Sequence, residues 1–364
     1  MLIDPSWRRL RWGDVVTLEY GRALRNHSDS KGSVPVFGTN GQIGWCEEAL
    51  CSHEGVIIGR KGAYRGVHYS PVPFFAIDTA FYIEPRENID LRWAYYAFRT
   101  LDINSMDSGS AIPSTSRAEI YGLPVDVPPP AEQRAIAAIL GALDDKVELN
   151  RQMNETLERL GQAMIRDSVR TWPLNRLDVV ATVVMGQSPP GNTYNRRGDG
   201  PPFYQGRADF GFRYPVRRMY CSSPTRRARA GNALLSVRAP VGSLNRAEEE
   251  CAIGRGVAAL DAGDDFNSLL YHVLLSTRER WQVFEAEGTV FGSVGRNDVR
   301  AFQVPWPDLN NARVLNARLK SLDDVVLANT QEARALAELR DTLLPGLVLG
   351  ALRATAELPV EAVR

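Results

Sequence analysis

Leu143-Asp144-Asp145-Lys146-Val147-Glu148-Leu149-Asn150 returns as Leu322-Asp323-Asp324-Val325-Val326-Leu327-Ala328-Asn329, 179 positions later. Upstream, Gly109-Ser110-Ala111-Ile112-Pro113-Ser114-Thr115-Ser116-Arg117 matches Gly288-Thr289-Val290-Phe291-Gly292-Ser293-Val294-Gly295-Arg296 at the same offset. Further back, Gly55-Val56-Ile57-Ile58-Gly59-Arg60-Lys61 matches Asn232-Ala233-Leu234-Leu235-Ser236-Val237-Arg238, and the start at Trp7 matches Trp172. Four matches in the same order make chance repetition untenable. The shared offset of the first two means that a domain and the helix after it were duplicated as one block.

Within a unit the patterning changes character. Residues 1–129 hold short β-rich runs such as Phe74–Ile83, broken by Gly and Pro, with one helix-like stretch from Leu91 to Leu101. This predicts an α+β domain with a curved, mostly antiparallel sheet. Pro128-Pro129-Pro130 closes it and opens a helix with Glu132 and Gln133 in its first turn. From there Ile136, Leu140, Leu143, Val147, Asn150, Leu157, Leu160 and Met164 recur at helical steps. Leu315, Leu319, Leu322, Val326, Asn329, Leu336, Leu339 and Leu343 do the same in the second unit. The expected architecture is two tandem domains (1–129 and 170–307), each followed by a long helix (130–169 and 308–352), and a tail (353–364). The two helices are expected to pack as an antiparallel coiled coil, with Leu143, Val147, Asn150, Leu157, Leu322, Val326, Asn329 and Leu336 in its seam. Asn150 and Asn329 occupy equivalent places and are expected near its centre. A helix over 131–169 would be about 58 Å long. Such a pair would hold two unlike readers apart, as suits half-sites about 34 Å or a multiple apart on DNA.

The chain has 43 basic and 43 acidic residues, yet residues 170–307 carry 18 arginines against 13 carboxylates. Residues 1–130 carry 13 basic and 15 acidic residues. The second domain is therefore suited to an anion, and Arg offers it a planar fork for phosphate or guanine.

The order of domain, Pro-rich entry with Ala131-Glu132-Gln133-Arg134, helix, and second such unit resembles type I restriction–modification specificity subunits. So do Gly59-Arg60-Lys61-Gly62-Ala63-Tyr64, Ile112-Pro113-Ser114-Thr115 and the Leu-Asp-Asp run in each helix. The resemblance covers nearly the whole chain. It implies two target-recognition domains that bind double-stranded DNA, one half-site each, and read a split asymmetric sequence. It also implies docking to two methyltransferase subunits and to restriction/translocase subunits. Those partners would supply S-adenosylmethionine, ATP and Mg²⁺; no cofactor is expected on this subunit. One departure is that Pro305-Trp306-Pro307-Asp308 opens the second helix without the Glu-Gln pair. This puts equal docking of the two methyltransferase copies in question.

Lys61 and Arg238 stand at matching positions after an apolar strand, where a basic group reaches a phosphate. Arg60, Tyr64 and Arg65 share the first loop. In the second domain Arg196, Arg197, Arg207, Arg213, Arg217 and Arg218 are interleaved with aromatic residues, a pattern that serves both phosphate and base. Lys31 and Asn40 belong to the counterpart loop, where Asn40 reads an adenine edge or simply forms a turn. Ser110, Ser114, Thr289 and Ser293 offer hydroxyls to phosphate, with turn formation as the rival role.

No phosphate-binding GxxxxGK[ST] loop or Asn-Pro-Pro-aromatic segment is present. The chain is read as non-catalytic, with specificity subunits of methyltransferase-only or type II-like systems and a stand-alone nuclease or methyltransferase as alternatives. Cys46, Cys51 and His53 form a C-x4-C-x-H cluster lacking a fourth ligand at zinc spacing, so no metal is expected. Cys46, Cys51, Cys221 and Cys251 are read as reduced thiols of a soluble, cytoplasmic protein. No apolar run reaches the length of a membrane span.

Overall fold

The computed structural model describes residues 5–25, 32–106, 113–263, 265–286 and 292–354. The chain forms two compact units, Met1–Glu148 with Ala333–Arg364, and Leu149–Glu332.

In the first unit, strands Val16–Tyr20, Ala80–Pro85, Gly55–Gly59 and Val67–Ser70 make a four-stranded antiparallel sheet in that order. Val34–Gly38 pairs antiparallel with Gly41–Cys46 and parallel with Phe75–Ala76. Arg8–Arg11 pairs with Pro124–Val127. Gly55–Gly59 is buried along its whole length, which is why it reads as an unbroken apolar run. Helix Leu91–Arg99 starts on Asp90, whose carboxylate accepts from the Trp93 N–H (2.8 Å). Its Trp93, Tyr96 and Phe98 fill the core beside Trp12, with the Trp12 and Phe98 rings 3.8 Å apart.

The second unit repeats this plan. Strands Thr182–Met185, Val257–Asp261, Ala233–Ser236 and Leu244–Arg246 form the four-stranded antiparallel sheet. Phe203–Tyr204 and Arg227–Ala228 flank Cys251–Ile253, the first parallel and the second antiparallel. Leu174–Arg176 pairs with Gln303–Pro305 as Arg8–Arg11 pairs with Pro124–Val127. The α+β class, the tandem domains and the mostly antiparallel sheets are thus as expected.

The long helices run Pro130–Arg166 and Leu309–Val348. Within each unit their segments lie side by side and antiparallel. In the first, Asp144 pairs with Arg340, while Ile136 and Leu140 share a core with Leu344 and Leu347. In the second, Asn150 Nδ2 donates to Glu332 Oε2 (2.7 Å), and Asn329 Nδ2 donates to Asn154 Oδ1 (3.0 Å). Asn150 and Asn329 each reach a residue about one turn from the other. Leu160 and Leu339 are 48% and 47% exposed and so face away from the seam.

Glu132 and Gln133 are engaged within the first unit. Gln133 is buried, accepts from the Asp90 N–H (2.8 Å) and donates to the Pro128 carbonyl (2.8 Å). Glu132 Oε2 accepts from the Trp7 indole (2.9 Å). The second helix opens instead on Asp308, which accepts from the Asn310 and Asn311 N–H groups (3.1 and 3.0 Å). The missing Glu-Gln pair is thus a difference in how the helix is anchored to its own domain. Among the described residues no helix is long and apolar enough to cross a membrane.

Candidate nucleic-acid interface

The matching strand ends Lys61 and Arg238 are built alike. Lys61 forms an isolated antiparallel bridge with Ser114, and Arg238 forms one with Ser293. Around the first, the Gly62 N–H donates to Pro113 O (3.0 Å) and the Thr115 N–H to Arg60 O (2.9 Å). Around the second, the Ala239 N–H donates to Gly292 O (3.1 Å) and the Val294 N–H to Val237 O (3.0 Å). Each loop is therefore held by main-chain bonds to the segment that carries the repeated Ser. Lys61 and Arg238 are exposed and, among the described residues, carry no ion pair. Gly62 sits at φ +122°, a conformation that lets the loop turn back on itself after Lys61.

What surrounds the two strand ends differs. In the first unit the Arg60 guanidinium lies 4.8 Å from the Tyr20 ring centroid and Arg117 lies 3.8 Å from the same ring. Tyr20 and Tyr64 are 46% and 78% exposed, so this loop presents aromatic surface beside its charges. In the second unit Arg207, Arg238 and Arg255 line one pocket of about 170 Å³ with Ser188 and Gln205. Arg255 Nε donates to Ser188 Oγ (3.0 Å), and Arg207 Nη1 to the Phe210 carbonyl (3.0 Å). Sheet register makes Met185, opposite Ala258, the counterpart of Tyr20, opposite Phe81. There, a cavity of about 370 Å³ opens, lined by Met185, Arg226, Arg296 and Arg300 among others.

Two of the sequence-derived candidates are withdrawn into the interior. Arg213 is 1% exposed; it donates to Asp323 Oδ1 (2.5 Å) and Glu158 Oε2 (3.1 Å) and lies 4.5 Å from the Tyr271 ring centroid. Arg65 is 3% exposed and donates to Thr115 Oγ1 (2.9 Å), Asn104 O (2.9 Å) and Met106 O (2.7 Å). Neither presents a face to a phosphate, because both guanidinium groups are buried with their terminal nitrogens bonded inside the fold. Arg217 is neutralised by Glu248 (3.2 Å) and Glu249 (2.8 Å), and Arg197 by Asp199 (3.0 Å). Arg196, Arg218 and Asn40 are exposed, and among the described residues the two arginines carry no ion pair. Lys31, Ser110 and Thr289 lie outside the described residues.

The residues that sequence reasoning missed are the aspartates of its own repeated motif. Asp323 is 1% exposed and meets Arg213, Arg246 and His272, whose Nε2 lies 3.2 Å away. Gln162 Nε2 lies 3.0 Å from His272 Nδ1, so the ring is held between Gln162 and the aspartate. Burial alone would raise Asp323, but the His272 hydrogen bond and the Arg246 and Arg213 charges hold its carboxyl well below the usual carboxylate range. Its counterpart Asp144 accepts from the Tyr96 hydroxyl (2.6 Å) and from Arg340. Burial and this hydrogen bond push the Tyr96 phenol well up. In both units the first Asp of Leu-Asp-Asp thus latches a long helix to the domain's own helix. The repetition of an Asp in an apolar seam was the available signal. Arg255 was missed because it stands apart from the Arg-rich stretch.

The family described as type I restriction modification DNA specificity domain matches residues 6–159. A putative type I restriction enzyme MjaX specificity subunit of Methanocaldococcus jannaschii is 27% identical over 263 residues, 66% of this chain. The EcoprrI specificity subunit of Escherichia coli is 28% identical over 147 residues, 39% of this chain. Residues 6–159 of this chain thus match the type I restriction–modification specificity family, and the chain is similar to type I specificity subunits. The chain spans 62% and 37% of the lengths of these two relatives. The crystal structure of the type I S subunit from M. genitalium shares the fold, with a TM-score of 0.64 at 16% identity, over 96% of this chain and 98% of that one.

Proposed function

We propose that the chain is the DNA-reading subunit of a type I restriction–modification complex and performs no catalysis itself. The observation that carries this reading is the repeated strand end, with Lys61 bridged to Ser114 and Arg238 bridged to Ser293. Each places an exposed cation on a loop held by main-chain hydrogen bonds, the rigid support that a phosphate contact needs. The unlike surroundings, stacked Arg60–Tyr20–Arg117 against the Arg207/Arg238/Arg255 pocket, favour unlike half-sites and so a split, asymmetric target. Double-stranded DNA and two methyltransferase subunits are the partners proposed, with restriction/translocase subunits joining them. The methyltransferase partners would bring S-adenosylmethionine, and the restriction partners ATP and Mg²⁺. Leu160 and Leu339, half exposed at matching helical positions, are surfaces that such partners could cover.

Co-expression with the methyltransferase subunits, followed by mapping of methylated adenines, tests this reading. A split asymmetric motif that fades in Lys61→Ala and Arg238→Ala is the expected result. A continuous palindrome, or methyl transfer or cleavage by the purified chain alone, would count against it.

A further inference from the structure

In the first unit the segment between strands Gly41–Cys46 and Gly55–Gly59 brings Cys51 and His53 onto Glu84 of strand Ala80–Pro85. Cys51 Sγ lies 3.5 Å from His53 Nε2, and His53 Nε2 lies 3.2 Å from Glu84 Oε2. All three ligand atoms fall within 4.8 Å of one another. A tetrahedral zinc ion, with bonds of ~2.0 Å to nitrogen and oxygen and ~2.3 Å to sulfur, has edges of roughly 3.3 Å between N and O and ~3.5 Å between N and S. The Sγ–Nε2 and Nε2–Oε2 separations are close to those edges. The same ring's Nδ1 faces the Glu54 carbonyl, the kind of second contact that orients a metal-bound imidazole. Sγ also lies 3.6 Å from Nδ1, so an ion bound in line with Nε2 requires the Cys51 or His53 side chain to turn.

The second unit shows what this carboxylate position requires. Cys51 pairs with Phe74 as Ala228 pairs with Cys251, 177 positions later. Glu84 lies opposite Thr17 as Asp261 lies opposite Thr182. At Asp261 the cation is built in, with Arg229 Nε 3.1 Å from Oδ2. The position corresponding to Arg229 is Ser52. The first unit therefore offers a thiol and an imidazole where its sister has a guanidinium.

We propose that Cys51, His53 and Glu84 bind a zinc ion, with water in the fourth position. Thiolate, imidazole and carboxylate together suit a borderline-soft divalent cation better than Mg²⁺ or Ca²⁺. The His53 and Glu84 side chains are 41% and 40% exposed, which leaves the ion a path from solvent. The ion would staple the segment 47–54 to strand Ala80–Pro85, an inner strand of the four-stranded sheet. The site revises the expectation of no metal, because the third ligand comes from a strand about thirty residues away in sequence.

Titrating the metal-stripped full chain with Zn²⁺ against a chromophoric chelator tests the proposal. One equivalent should bind, with affinity falling at least about ten-fold in His53→Ala and Glu84→Gln. Co²⁺ in place of zinc should give a thiolate-to-metal charge-transfer absorption that Cys51→Ser abolishes and Cys46→Ser keeps. Glu84→Gln alters a part-exposed side chain, and an unchanged metal-free melting temperature will show that it is folded. No bound equivalent, or one indifferent to His53→Ala and Glu84→Gln, overturns the site.

Discussion

At the scale of single residues the Arg213–Asp323 pair sets the terms. An arginine within an Arg-rich, aromatic-rich stretch reads as a DNA contact, and its fate is decided by an aspartate 110 positions away. Composition carries no record of such a partner, whereas exposed Lys61 and Arg238 stand where strand and repeat alone put them. Asp323 sits among Arg213, Arg246 and His272, so removing it leaves buried positive charge uncompensated. Asp323→Asn should therefore destabilise the second unit by about 3–5 kcal/mol, the usual cost of breaking one side of a buried pair. The pH dependence follows from its lowered folded-state pKa. Its stabilisation is fully present above the unfolded value of about 3.9 and is lost as pH falls through the lower folded value. Urea unfolding of wild type and Asp323→Asn should differ by a constant amount above about pH 5, and the gap should narrow below about pH 4. A gap that widens on acidification would contradict this assignment.

At the scale of elements, helix phase was the legible part. The long helices, the sheet class and helix Leu91–Arg99 all follow from periodicity and from Gly and Pro punctuation. Which stripe of each helix meets the other was less legible, because three- and four-residue steps also generate the neighbouring stripe that carries Leu160 and Leu339. The polar layer was legible as two asparagines but not as its actual set, Asn150, Asn154, Asn329, Thr330 and Glu332. Asn150 is fully buried, and among the described residues its Oδ1 has no hydrogen-bond partner. A half-satisfied buried amide costs stability and is tolerated where it fixes the register of a helix pair. Asn150→Leu should thus stabilise the second unit by roughly 1 kcal/mol while loosening that register. Thermal melting with light scattering checks both effects: a higher midpoint with some self-association is expected. A lower midpoint would mean that the Asn150–Glu332 bond outweighs the unmet oxygen.

At the scale of the whole molecule the duplication at a 179-residue offset is what made two units legible. The allotment of the helices was not, since each compact unit takes part of both: Met1–Glu148 goes with Ala333–Arg364, and Leu149–Glu332 stands by itself. An antiparallel pair makes its contacts locally, so helix ends group with the domains they touch. Because residues 170–307 carry an excess of five positive charges and residues 1–130 a deficit of two, the copies should divide the work of binding unequally. Each phosphate neutralised adds about 0.9 to the slope of log affinity against log salt on duplex DNA. Replacing Arg207, Arg238 and Arg255 together by alanine should lower that slope by roughly two to three in the assembled complex. Replacing Arg60 and Lys61 should lower it by no more than about two, while the loss of stacking at Tyr20 alters base preference. Methylome mapping of the two variants should then show degeneracy confined to opposite halves of the motif. If both halves degrade together in either variant, the units do not read separately, and the duplicated strand ends serve a shared contact instead.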